Sequence, residues 1–286
     1  MCTEGVIDTS RQIPTFLTTF DLRKICSAAS AETYTKSNLI SYLRPRLSDA
    51  LAGREFTFSF EDGSKLCYRF GKHYLEWSDG GAFNEEYAEC LESARKNVFL
   101  VHHLKTDTLP YKAATLVIDP DRASVTLVDM KFGTKHSNRD VNRTVKMGVI
   151  LGEGAPAASA HALTEDFTGV VMDWKYADDV RMHHMYENRS FCAFVSPPPP
   201  SVPEWKEFFI TFNPTKYVKL ADKLYLLSFC APGSSGMEAS MLIDMETMTC
   251  VGSVFGIDME DALRCYTFGG KGAFADVGFV GNYTVQ

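Results

Sequence analysis

The sequence predicts a mainly β protein of two antiparallel units behind a short helical lead-in, and three observations predict it. Apolar and polar residues alternate with period two in several short runs. Turn signals separate those runs at regular intervals. The order of runs in the first half of the chain then recurs in the second. Antiparallel strands at this spacing suit either a barrel or a sandwich.

Residues 30–52 read as a helix interrupted by Pro45 and ended by Gly53. "REFTFSFEDGSKLCYRF" reads as a hairpin. Phe56, Phe58 and Phe60 alternate with polar residues, Asp62-Gly63 turns the chain, and Leu66, Tyr68 and Phe70 alternate again. "KHYLEWS" (72–78) supplies a third strand. "NEEYAECLESARKN" (84–97) reads as a helix: Asn84 caps it, Glu85 and Glu86 suit the positive end of its dipole, and Tyr87, Leu91 and Ala94 share a face. "VFLVHHL", "AATLVID" and "ASVTLVDM" are three further strands, the last two joined through Asp119-Pro120-Asp121. The polar run 134–146 and the small-residue run 152–160 read as the connection between units. Beyond it, residues 217–256 follow 87–133 element by element, which predicts a duplicated unit, and "SPPPPSVP" (196–203) reads as an exposed loop.

A formal net charge of −7 lacks the basic excess that neutralises phosphate, so no nucleic-acid partner is expected. No apolar stretch approaches the ~20 residues of a bilayer span, so no membrane partner is expected either. The first residues show no basic run followed by an apolar one, which predicts a reducing, cytoplasmic setting for the eight cysteines. None forms a CxxC pair, so they read as small buried hydrophobes.

"LAGREFTFSFEDGSKLCYRFGKHYLEWSD" resembles the N-terminal domain of the MoaF family, often labelled molybdenum cofactor biosynthesis protein F. "DWKYADDVRMHHMYENRSFCAF", "YVKLADKLYLLSF" and "CVGSVFGID" resemble its C-terminal domain. The resemblance implies two calycin/lipocalin-like β-barrels in one chain, over 51–150 and 151–286, behind a lead-in over 1–50. In the family's strand motif His184, Tyr186 and Asn188 match, whereas Met182 and His183 depart. A later tryptophan and glutamate of the family are replaced here by Cys230 and Pro232.

Four of the seven histidines sit in two short apolar runs, "VFLVHHLK" (98–105) and "VRMHHMYEN" (180–188). Side chains two apart on a strand face together. His184 and Tyr186 share a face with Met182 and Asn188, while His183 sits among Arg181, Glu187 and Arg189. His184 and Tyr186 are therefore expected inside a barrel and His183 in solvent. In the other run, Lys105 places His103 outward and His102 inward. Asp129 and Lys131 share a face as a solvated charge pair.

The chemistry these residues suit is acid–base, with His184, Tyr186 and His102 as catalytic candidates. Tyr68, Trp77, Trp174, Tyr176, Met182 and Asn188 are candidate substrate contacts. The competing reading of each histidine is a core residue satisfied by one hydrogen bond. Neither His pair has metal-ligand spacing, and no phosphate-cradling loop is present, so no metal or cofactor is expected. The expected function is a cofactor-independent lyase, isomerase or cyclase on a small aromatic or polyketide-like metabolite. A lipocalin-like carrier is the alternative. The expected partner is a small hydrophobic or aromatic ligand, with homodimer formation through one barrel as a further expectation.

Overall fold

The computed structural model describes Leu22 and residues 43–134, 137–152, 154–178, 180–196, 209–231, 236–258 and 261–275. The proline run at 197–203 lies outside them, as does most of the lead-in. Residues 43–53 of the predicted helix are described, and they form turns and irregular chain.

The first barrel comprises β1 (Glu55–Phe60), β2 (Lys65–Phe70), β3 (Tyr74–Ser78), β4 (Asn84–Glu92), β5 (Phe99–Lys105), β6 (Lys112–Asp119), β7 (Ser124–Phe132) and β8 (Val141–Ile150). Each strand pairs antiparallel with the next, and β8 returns to β1 to close the ring. Phe56, Phe58 and Phe60 fill the interior as their alternation predicts, with Tyr68, Phe70, Leu75 and Trp77. Gly63 takes the turn at φ +81°, a conformation that a Cβ disfavours. A Cβ on Gly148 would stand 2.6 Å from the carbonyl oxygen of Ser59, so glycine lets β8 close against β1.

Two strands of this barrel depart from the sequence reading. The predicted helix at 84–97 is β4, paired to β3 and β5. Helix propensity is a weak local preference, and closing the ring overrides it. The acids that suggested a helix dipole are acceptors instead. Glu86 takes hydrogen bonds from Thr106 N (2.7 Å) and its hydroxyl. Glu89 takes them from Thr267 N (2.9 Å) and Oγ1 (2.6 Å). The predicted connection at 134–146 is in part β8, whose polar residues hid its apolar pattern.

After β9 (Ala162–Leu163), the second barrel comprises β10 (Val171–Lys175), β11 (Arg181–Asn188), β12 (Phe191–Ser196), β13 (Phe209–Ala221), β14 (Leu224–Cys230), β15 (Glu238–Asp244), β16 (Thr249–Ile257) and β17 (Leu263–Phe274). It closes in the same order as the first, each strand to the next and β17 to β10. The recurrence read in the sequence is therefore a recurrence of topology: two eight-stranded, calycin-type antiparallel barrels. β13 completes the ring by pairing with β12 through its first half and with β14 through its second.

The barrels share a hydrophobic seam. Leu100, Val117, Val128, Met130 and Phe132 on the outer face of the first pack against Leu226, Leu242, Val251, Phe255 and Leu263 of the second. Phe132 and Phe255 lie 4.9 Å apart, ring centre to ring centre. Strands β5 and β15 are consequently buried along their whole length, and β6 along all but its first residue, Lys112, one face in a barrel and the other in the seam. No helix among the described residues is long and apolar enough to cross a membrane.

Phe255→Ala should cost about 3–5 kcal/mol through loss of burial and the cavity left behind. Urea denaturation should show a lower midpoint at unchanged slope. An unchanged midpoint would mean that the seam does not hold the barrels together.

Candidate functional site

Strand register brings the second barrel's candidate residues together. His184 of β11 is paired to Met172 of β10 and Phe194 of β12, and alternation turns Trp174, Tyr176, His184 and Tyr186 inward. His184 and Tyr186 are each 1% exposed. Phe194 stacks on the imidazole at 4.0 Å, and Tyr217 and Phe268 complete the aromatic wall.

His184 lies between two phenols, with Nδ1 3.2 Å from the Tyr186 hydroxyl and Nε2 3.3 Å from that of Tyr176. Beyond them, Trp174 Nε1 donates to the Tyr186 oxygen (3.1 Å) and the Tyr176 hydroxyl donates to Met241 Sδ (3.5 Å). The fixed ends decide the middle. Indole is a donor only and a thioether an acceptor only. One direction therefore satisfies every group: Trp174 to Tyr186, Tyr186 to Nδ1, Nε2–H to Tyr176, Tyr176 to Met241. This assigns the Nε2–H tautomer to His184.

All members are neutral at rest. Burial drives His184 down to about 3, with a smaller contribution from His183. Burial also pushes the Tyr176 and Tyr186 hydroxyls well above the ordinary tyrosine value.

The other expected residues fall elsewhere. His183 is on the outer face, as expected, but is only 6% exposed. Its Nδ1 lies 3.3 Å from Asp173 Oδ1 on the paired strand. Burial lowers its pKa, against the pull of Asp173. Met182 is half-buried against the aromatic cluster. Asn188 is exposed, and its Oδ1 accepts from Ser190 N (2.9 Å) and Phe191 N (3.1 Å), a turn-forming role that explains an asparagine there. Tyr68 and Trp77 lie in the first barrel, apart from Trp174 and Tyr176.

The orientation expected of the first His pair is reversed. His103 points into the first barrel, its Nε2 3.2 Å from the Tyr68 hydroxyl. His102 points into the seam, its Nδ1 2.9 Å from Thr115 Oγ1 and its Nε2 3.1 Å from Cys265 Sγ. Lys105 misled because its buried ammonium stays on the inner face, held 2.8 Å from Asp129 Oδ1. Sequence reasoning also missed Glu238 in the seam. Its Oε1 accepts from Ser228 (2.9 Å) and Ser240 (2.7 Å), and burial raises its carboxyl to about 7. No sequence signal marked it. A groove of about 450 Å³ runs between the barrels, lined by Arg143, Met147, Leu163, Phe191 and Lys216. Among the described residues, no group of three or more His, Cys, Asp or Glu could hold a metal ion.

The buried histidines set an acid dependence. Burial lowers His102 and His161 to about 4 and His184 to about 3. Unfolded histidine binds its proton near pH ~6.5, so between that value and the folded ones the unfolded chain holds more protons. Stability should fall as pH drops from about 6.5 to 4.5, by up to about 1.4 kcal/mol per pH unit for each histidine. Glu238 opposes this, because its raised pKa lets the folded state hold the extra proton. Glu238→Gln should therefore steepen the decline. Denaturation midpoints that stay flat across this window would contradict the burial of these groups.

Residues 40–134 match the family of the MoaF N-terminal domain. Among curated proteins, none matches this sequence. The matched segment carries β1 through β7, including the three strands that "REFTFSF", "KLCYRF" and "YLEWS" supply. Most of the first barrel of this chain, β1 to β7, is thus similar to the MoaF N-terminal domain.

Proposed function

We propose that the second barrel performs acid–base chemistry on a small aromatic or polyketide-like metabolite: isomerisation, dehydration, decarboxylation or cyclisation. The observation that carries this reading is the directed chain from Trp174 to Met241 through His184. A core histidine needs one partner, and this one has a hydroxyl on each nitrogen. The chain also ends on a thioether, a weak acceptor, which leaves the Tyr176 O–H its most transferable proton.

Tyr176 would give that proton to a substrate carbonyl or alkene. His184 Nε2–H would reprotonate Tyr176, and Tyr186 would reprotonate Nδ1. The phenolate left on Tyr186 would be held by the Trp174 N–H until the proton lost elsewhere by the substrate returned along the same path. The raised tyrosine values require these transfers to be concerted. The chemistry asks only for proton movement, and the surrounding Phe194, Tyr217 and Phe268 suit an aromatic body. A carrier without turnover is favoured by one observation: His184 near 3 lies far from the neutral pH at which proton transfer is most efficient.

Benzoylacetone, an aryl 1,3-diketone, in deuterated buffer separates the two readings. The wild-type protein should speed deuterium entry at the central carbon, followed by mass spectrometry. Positioned proton transfer supplies ~10²–10⁴-fold of rate, so His184→Ala should lose about that factor. His183→Ala should change little. Saturable binding without exchange would leave the carrier. Loss of exchange in His183→Ala alone would move the site to the outer face.

A further inference from the structure

The first barrel carries a row of three lysines across adjacent strands. Lys105 of β5 is directly opposite Lys112 of β6, and Lys112 is directly opposite Lys131 of β7. All three lie on the inner face: Phe99 and Val101, Ala114 and Leu116, and Val125 and Leu127 precede or follow them at even spacing in the interior cluster. They rim one end of the barrel, where β5 leaves, β6 enters and β7 leaves. Like charges placed directly opposite are destabilising in a sheet. Among the described residues only Lys105 has an acidic partner, Asp129. Asp129 was expected to neutralise Lys131, and Glu86, on the same rim, is committed to Thr106.

A second observation sits beside the row. Trp77 is 6% exposed and its Nε1 has no acceptor among the described residues, while Lys105 Nζ lies 4.7 Å from its ring centre. A buried indole N–H without a partner is costly, and such groups in folded proteins usually have one. Below the row lie His103 and Tyr68, one interior layer down. Exposed Leu109, on the loop between β5 and β6 at the same end, gives the rim apolar surface.

We propose that this end of the first barrel binds a small organic acid, its carboxylate received by Lys112 and Lys131 near Lys105 and Trp77, its apolar body against the rim. The site is independent of the chemistry proposed for the second barrel. An anion there relieves the lysine–lysine repulsion that the register imposes, and it supplies an acceptor to Lys112 and Lys131, since Asp129 is engaged by Lys105 and Glu86 by Thr106.

The test uses trans-cinnamate and benzoate as probes, with cinnamamide as the neutral isostere, in calorimetric titrations of the full chain. Cinnamate should bind saturably, and cinnamamide should bind at least about 10-fold more weakly. The K112Q/K131Q double variant should weaken cinnamate by about 10- to 100-fold. Without ligand that variant should melt no lower than wild type, because it removes two like-charge contacts. A lower melting temperature would make the lysines structural and overturn the proposal. Equal binding of acid and amide, undiminished binding to K112Q/K131Q, or no saturable binding of either acid would also overturn it. His184→Ala should bind cinnamate as wild type does. Loss there, with K112Q/K131Q unaffected, would place the acid in the second barrel.

Discussion

The structure depends on one shared layer: the apolar seam in which the outer faces of β5–β7 meet those of β14–β17. An isolated barrel buries one face of its strands and wets the other. Here the central strands are buried on both, so their residues obey two sets of neighbours. Phe99 and Val101 line a barrel while Leu100 and Leu104 fill the seam. The non-directional attraction of this contact brings the barrels together. Polar contacts then fix their register.

Those polar contacts are unusually deep. His102 links Thr115 to Cys265 across the seam, and Thr115 in turn lies 2.8 Å from Ser253 of the other barrel. Glu89 of the first barrel accepts from Thr267 of the second and pairs with Arg44 at 3.1 Å. Buried polar groups are costly when unpaired, so each such contact penalises any sliding of one barrel on the other. His102, one of the catalytic candidates read from the sequence, is thus held between Thr115 and Cys265 in the seam.

What the sequence disclosed follows from which residues have one environment and which have two. The β1–β2 hairpin was legible because Phe56, Phe58 and Phe60 face a core while their neighbours do not. His184 was legible in part for the same reason: Arg181 and Glu187 on the opposite face are exposed, although His183 between them is buried and Asn188, past an irregularity in the strand, is exposed on the inner parity. β5 gave parity nothing to work on, since both faces are apolar, and Lys105 pointed the wrong way by burying its charge against Asp129. β4 was misread because Glu86 and Glu89 are buried acceptors whose donors, Thr106 and Thr267, are 20 and 178 residues away. A local pattern cannot contain such partners. The recurrence of strand order survived because topology tolerates changes in individual residues.

The chemistry proposed for the second barrel turns on the direction of one hydrogen-bond chain, set at one end by an indole and at the other by a thioether. Nitrogen-15 NMR of histidine-labelled protein reads that direction at His184, assigned by difference against His184→Gln. The result expected is a neutral imidazole at pH ~5 with its proton on Nε2 and its lone pair on Nδ1. A proton on Nδ1 at rest, or titration of this ring near the ordinary value of ~6.5, would contradict it.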